Sequence, residues 1–160
     1  MCNNIILTSV DYANIIRSMA YRLYGVRLNK TQVNKLLYMC YGFYLAATSN
    51  RLFDEQPHAW PYGPVFPSVY KSFDRYQPPF SINEDKVNVF AADQTAVHIV
   101  RSVIDNYCHV SAYDLSMWSH KPGGPWNITA YGKSGDEKPV WNKIIDDSLI
   151  SDYFSPKSHE

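Results

Sequence analysis

The sequence predicts a mainly α, α+β fold: a compact helical domain of about five to six helices, with a few short strands or a hairpin around residues 51–62 and 87–90. Three observations lead there. Apolar residues recur at three- and four-residue spacing along several stretches. Short β-prone pieces sit between turn formers. The composition, 46% hydrophobic and 19% charged, is that of a folded chain and far from a disordered one. At 160 residues the chain can bury a sizeable core as one domain, expected over 1–154, with a polar tail over 155–160.

Ser9 or Asp11 can cap a first helix running to about Tyr24, with Ile15, Ile16, Met19, Ala20 and Leu23 on one face and Gly25 as its stop. Thr31 is the expected cap of a second helix over 32–48. Its apolar stripe (Val33, Leu36, Leu37, Cys40, Tyr41, Tyr44, Leu45) is broad enough for burial on more than one side. Gly42 costs that helix about 1 kcal/mol of propensity, for which close helix packing is the usual compensation. Ser49-Asn50 ends it. Leu52-Phe53 and His58-Ala59-Trp60 are too short for helices and suit strands or extended arms. Pro67 fits the first turn of a third helix with Val69, Tyr70 and Phe73 on its apolar side. Residues 76–84, with Pro78-Pro79, form a loop, and Val87-Asn88-Val89-Phe90 alternates weakly, as an edge strand would.

Asp93 caps the clearest later helix, in which Ala96, Val97, Val100, Val103, Ile104 and Tyr107 share a face. Ser111 and Asp114 make a capping box ahead of Leu115 and Trp118. Lys121 to Trp126 must turn sharply, 126–139 is expected to be irregular, and Asp146 or Asp147 starts a last helix containing Leu149, Ile150, Tyr153 and Phe154.

Fifteen basic and fifteen acidic residues give zero formal net charge, which argues against general nucleic-acid binding because that draws on basic excess. Arg17, Arg22, Arg27, Lys30 and Lys35 leave room only for a local basic patch. Cys2, Cys40 and Cys108 form no CxxC pair and cannot all pair within one chain, a pattern that favours a reducing compartment. The N-terminus lacks the basic region of a secretory signal, and no run reaches the ~18 apolar residues of a membrane span. A cytoplasmic location is the expectation.

The most informative segment is Ala59-Trp60-Pro61-Tyr62-Gly63-Pro64-Val65. Proline fixes φ and restricts the residue before it, and glycine admits positive φ, so Pro61, Gly63, Pro64 and then Pro67 make a stiff corner. It carries no nucleophile, metal ligand or phosphate loop, which points to recognition or architecture. Thirteen tyrosines fit both a ring-filled core and a protein-binding surface. Trp60 and Tyr62 can serve either role.

Together with Asn34-Lys35-Leu36-Leu37-Tyr38, Leu52-Phe53-Asp54-Glu55, Tyr70, Tyr107, Ser111-Ala112-Tyr113-Asp114-Leu115, His120, Gly124-Pro125-Trp126 and 150–154, this corner resembles the Panacea (SocA-like, DUF4065, phage-associated GepA-like) domain family, in order and over about residues 10–154. The resemblance implies the antitoxin of a bacterial or prophage toxin–antitoxin system that neutralises its cognate toxin by direct protein–protein binding. The alternative it implies is a proteolytic adaptor that delivers a bound toxin to a AAA+ protease of the ClpXP type. No added DNA-binding module is expected beside the domain, a departure from many relatives that puts autoregulation in doubt.

The chemistry-bearing residues give no competing site. His109 and His120 lack the paired short spacings of a zinc centre, so no metal or cofactor is expected. A Cys–His nucleophile would need Cys40 or Cys108 exposed with a lowered pKa, and Cys40 lies on an apolar helix face. No catalytic residue is assigned. The partner-binding candidates are Trp60, Tyr62 and Tyr70 at the corner, Trp126 as a second cluster, Asp54 and Glu55 as an acidic border able to steer a basic toxin, and Lys35. That lysine could equally be solvated, its stem covering apolar surface.

Overall fold

The structure, a computed structural model, describes residues 4–78, 81–135 and 138–156. Cys2, Pro79, the Asp136-Glu137 pair and the end of the polar tail lie outside the described residues. Among the described residues there are eight α-helices: α1 (Ser9–Tyr24), α2 (Lys30–Thr48), α3 (Pro67–Ser72), α4 (Glu84–Ala92), α5 (Gln94–Tyr107), α6 (Ala112–Ser119), α7 (Pro125–Tyr131) and α8 (Asp147–Phe154). A 3-10 turn, Phe73–Arg75, extends α3. Three short strands, β1 (His58–Trp60), β2 (Gly63–Val65) and β3 (Lys143–Ile144), form an antiparallel sheet in the order β2-β1-β3. The register pairs Trp60 with Gly63, and His58 with both Val65 and Ile144. The fold is mainly α with a small sheet, as the periodicity predicts.

The helix starts are set by side chains that satisfy the first free backbone N–H groups. For α1 the cap is Thr8, not Ser9 or Asp11. Thr8 takes extended backbone (φ −92, ψ 172), while Asp11 is the reciprocal member of the capping box and the Ser9 hydroxyl donates to Glu55 Oε1 instead. For α2 the cap is Asn29, not Thr31, in a box completed by Gln32. Gly25 and Ser49 stop these helices in the left-handed region, at φ 68 and 61. Asp93 and Ser111 cap α5 and α6 through their side chains, whereas Asp146 holds the cap position of α8 without a side-chain hydrogen bond.

Residues 87–90 are helical, which corrects the edge-strand expectation. Asn83 accepts from the amides of Asp85 and Lys86, two acidic residues favour the first turn, and Phe90 is the buried anchor. Residues 125–131 are also helical where irregular chain was expected, because Pro125 occupies the first turn and the segment is too short to show a period. The hairpin is shifted too. Its arms are 58–60 and 63–65, and Leu52-Phe53 is a bend that drives two apolar side chains into the core. Leu23 ends up on the exposed side of α1.

Helix α2 is the hub. Every residue from Val33 to Gly42 is buried, and the helix packs most extensively on α8 and α5, then on α1, α6, β2 and α3. Rings line two sides of it. Tyr41 lies 5.4 Å from Phe53 and 5.7 Å from Phe66, while Tyr38 lies 5.5 Å from Phe154 and 6.0 Å from Trp118. Such tilted and edge contacts add about 0.5–1.5 kcal/mol per pair beyond area burial. Tyr41 OH donates to Asp147 Oδ1 at 2.6 Å, fixing the start of α8 on α2, and Arg51 binds the other oxygen of that carboxylate at 2.7 Å. Gly42 lies under Phe154, and a Cβ there would fall inside the ring.

The basic residues of the first third do not gather into a patch. Arg17 is buried and donates to the carbonyls of Phe73 and Tyr76, Arg27 donates to Pro78 O, and Lys35 is buried beneath the sheet.

Gly42→Ala should lower stability despite the gain of about 1 kcal/mol in helix propensity, because the displaced Phe154 ring costs about 1–3 kcal/mol. Thermal unfolding reads this directly, and combining it with Phe154→Ala should give less than the sum of the two losses. The Asp11 carboxyl adds an acid-side dependence. Burial raises its pKa, but the hydrogen bonds from Lys86 and Thr8 outweigh that and hold it below the ordinary value. A depressed carboxylate contributes stability above its unfolded pKa of about 3.9 and loses it as pH falls through the folded value. Asp11→Asn should therefore flatten the acid limb of a stability–pH curve.

Candidate functional site

The β1–β2 turn projects Pro61 and Tyr62 from the body of the molecule, and Tyr62 is 74% exposed. Gly63 makes the turn possible. Its φ of +111 is one that side-chain-bearing residues rarely adopt, and a Cβ would lie 2.6 Å from Ser119 Oγ and 2.8 Å from Lys35 Cε. Backbone and neighbouring side chains thus both require glycine. Pro64 and Pro67 hold the exit from the turn, and Pro67 starts α3.

Side chains from four directions fix the corner. Trp126 Nε1 donates to Trp60 O at 2.8 Å, and Lys35 Nζ donates to Pro64 O at 3.2 Å. Asn34 Oδ1 accepts from Phe66 N at 2.9 Å. On the outer side, Asn142 Oδ1 accepts from Trp60 Nε1 at 2.9 Å and lies 3.0 Å from His58 Nδ1, while Asn142 N donates to Ala59 O at 2.7 Å. Asn142 takes a φ of +67, a left-handed conformation that asparagine tolerates better than most residues.

Trp60 and Tyr70 share one face beside the turn. Trp60, half-buried, meets Tyr70 edge-on at 5.1 Å, and Tyr70 is 42% exposed. Lys30 Nζ sits 4.2 Å from the Tyr70 ring centroid and 3.8 Å from Asp74. Val140, Trp141 and Ile144 lie exposed on the segment that includes β3 and flanks Trp60. The sequence singles out none of these three: Val140 and Trp141 lie outside any strand, and Ile144 is placed by pairing with β1, far away along the chain.

Three candidates, Trp126, Lys35 and Glu55, sit otherwise than a contact role requires. Trp126 is 5% exposed, its indole stacked on His120 at 4.1 Å, so it supports the corner from within and offers no face to a partner. Lys35 is 1% exposed, which overturns the solvated reading; burial pushes its pKa down to about 8. Glu55 holds structure together, with Oε1 accepting from Ser9 and Oε2 from Ser68 N at 3.0 Å, where it caps α3. Asp54 remains exposed beside it.

Among the described residues, nucleophile chemistry finds no support in the thiols of Cys40 and Cys108. Burial raises the pKa of Cys40 well above the ordinary range, and burial with Asp105 nearby raises that of Cys108, so both are protonated at neutral pH. His120 is depressed by burial and by the Lys35 charge, and its Nε2 is buried without a hydrogen-bond partner. Among the described residues no group of three or more His, Cys, Asp or Glu is arranged to hold a metal ion, and no helix is long and apolar enough to cross a membrane.

A second apolar surface runs between α2, α5, α6 and α8. Two adjoining cavities of about 480 and 470 Å³ share Phe43, Tyr107 and Phe154. Tyr107 and Phe154 lie on helix faces that the sequence assigns to the core, and Phe43 lies off the stripe expected for α2, so periodicity alone could not reveal the opening.

The chain is 29% identical over 148 residues to the protein named Antitoxin SocA of Caulobacter vibrioides (strain NA1000 / CB15N), an alignment covering 84% of this chain and 78% of that one. No solved structure matches it significantly. Residues 33–127, which include the buried run of α2, the corner and the start of α7, match the family described as antitoxin SocA-like, Panacea domain, and the chain belongs to that family.

Proposed function

We propose that this chain is the antitoxin of a toxin–antitoxin pair and neutralises its toxin by direct contact, with Tyr62 and Tyr70 as the central anchors. The observation that carries the reading is the preformed corner: an exposed tyrosine on a turn whose flanking carbonyls at Trp60 and Pro64 are both held by buried donors. A rigid aromatic group loses little conformational freedom on binding, so more of its contact energy appears as affinity. Tyrosine and tryptophan are also the residue types most often found as interface hot spots. Membership of an antitoxin family supports a toxin partner, and the protonated, buried thiols favour binding over covalent chemistry. Asp54, exposed near the start of α3, suits long-range steering of a basic surface and would act mainly on the association rate.

Co-expression tests the function. The product of the adjacent gene should arrest growth alone and lose its toxicity with this chain; persistent toxicity would overturn the proposal. An unchanged toxin half-life in a host lacking ClpXP identifies sequestration, whereas a lengthened one identifies delivery to the protease.

Tyr62→Ala should weaken binding to the purified adjacent-gene product by about tenfold or more, an effect of about 1.4 kcal/mol, without lowering thermal stability. Titration calorimetry with a parallel melting curve separates the two effects. Asp54→Lys should slow association with a basic toxin at low salt and leave dissociation nearly unchanged, a difference that fades as ionic strength rises.

A further inference from the structure

Two carbonyls bracket the exposed Pro61-Tyr62 turn, and each is held from inside the protein: Trp60 O by Trp126 Nε1 at 2.8 Å, Pro64 O by Lys35 Nζ at 3.2 Å. Gly63, between them, packs its bare Cα against Lys35 Cε and Ser119 Oγ. His120 links the pins, since its ring stacks on Trp126 at 4.1 Å and feels the Lys35 charge.

Lys35 is the anomalous member. Its side chain is 1% exposed, Pro64 O is its hydrogen-bond acceptor, and no carboxylate pairs with it among the described residues. Burying an ammonium without a counter-charge is costly, and apolar residues of similar volume often serve a fold as well or better. A methionine would fill this space without that cost, so packing alone does not call for lysine. What the ammonium adds is a directed donor, reaching from the most buried helix to the carbonyl of Pro64 on the β2 side of the turn.

We infer that Lys35 is a positioning residue for partner recognition: with Trp126 it fixes the Trp60–Val65 corner in the shape that presents Tyr62. This rests on the corner being the toxin-binding surface. The lysine makes no contact with the partner; it acts through the backbone of Pro64.

The test compares Lys35→Met with Tyr62→Ala and the parent protein in three measurements. Lys35→Met should melt no lower than the parent at neutral pH. Because burial holds the lysine pKa near 8, below its unfolded value, the folded parent carries a penalty below that pH. The penalty is relieved as pH rises toward about 10.4, so any stability margin of the variant should shrink over that interval. Amide hydrogen exchange at Gly63 and Val65 in the free variant should accelerate by about tenfold or more relative to core amides of α2. Affinity for the purified adjacent-gene product should fall by about tenfold or more, mainly through faster dissociation.

A variant that fails to fold, or that loses stability in step with binding, assigns Lys35 to the fold and overturns the inference. Unchanged exchange at the corner, or unchanged affinity while Tyr62→Ala weakens binding, also overturns it and leaves the binding surface standing. If Tyr62→Ala binds as tightly as the parent, the surface itself has been misplaced, an outcome separable from the exchange result because that is read without the toxin.

Discussion

The rest of the structure depends on the near-complete burial of α2. A helix with no solvent face from Val33 to Gly42 must be covered on every side, and the other elements are arranged to do so: α1 and α3 on one flank, α5 on another, α6 and α8 over Tyr38, and the sheet over Lys35. Burial of a large apolar side chain is worth about 1.5–3 kcal/mol, so this one helix anchors a large part of the hydrophobic stabilisation. It also explains why polar residues on α2 are so constrained. Asn34 and Lys35 face inward, and each has a backbone partner at the corner. The same helix therefore organises the core and shapes the surface.

That coupling separates the roles of the aromatic residues. Tyr38, Tyr41, Phe53, Phe66 and Phe154 tile the inside, with edge and tilted contacts around α2. Trp60, half-buried, and Trp126, buried, each spend the indole N–H on the corner. Tyr62 and Tyr70 face solvent.

Much of the fold was legible. The long periodic helices α1, α2 and α5 and most of the stop signals follow from spacing and capping chemistry that act within a few residues. The errors came where local signals are weak or shared. Val87 to Phe90 can alternate as a strand or present one anchor as a helix, and the Asn83 cap decides for the helix. Strand β3 pairs with β1 across more than eighty residues, so no local pattern announces it. The corner itself was legible from Pro61, Gly63 and Pro64. The burial of Lys35 and Trp126 was not, because it depends on which elements close over them.

The packing of α8 on Gly42 has a consequence in time. Helix α8 is synthesised more than a hundred residues after the helix it seals, and its Phe154 ring covers the bare backbone at Gly42 while Tyr41 ties Asp147 to the same helix. Until the last turn leaves the ribosome, one flank of the central helix stays wet and its apolar residues open to chaperones and proteases. The core is therefore completed only once α8 has emerged, and a growing chain that still lacks α8 is more vulnerable than one that has it.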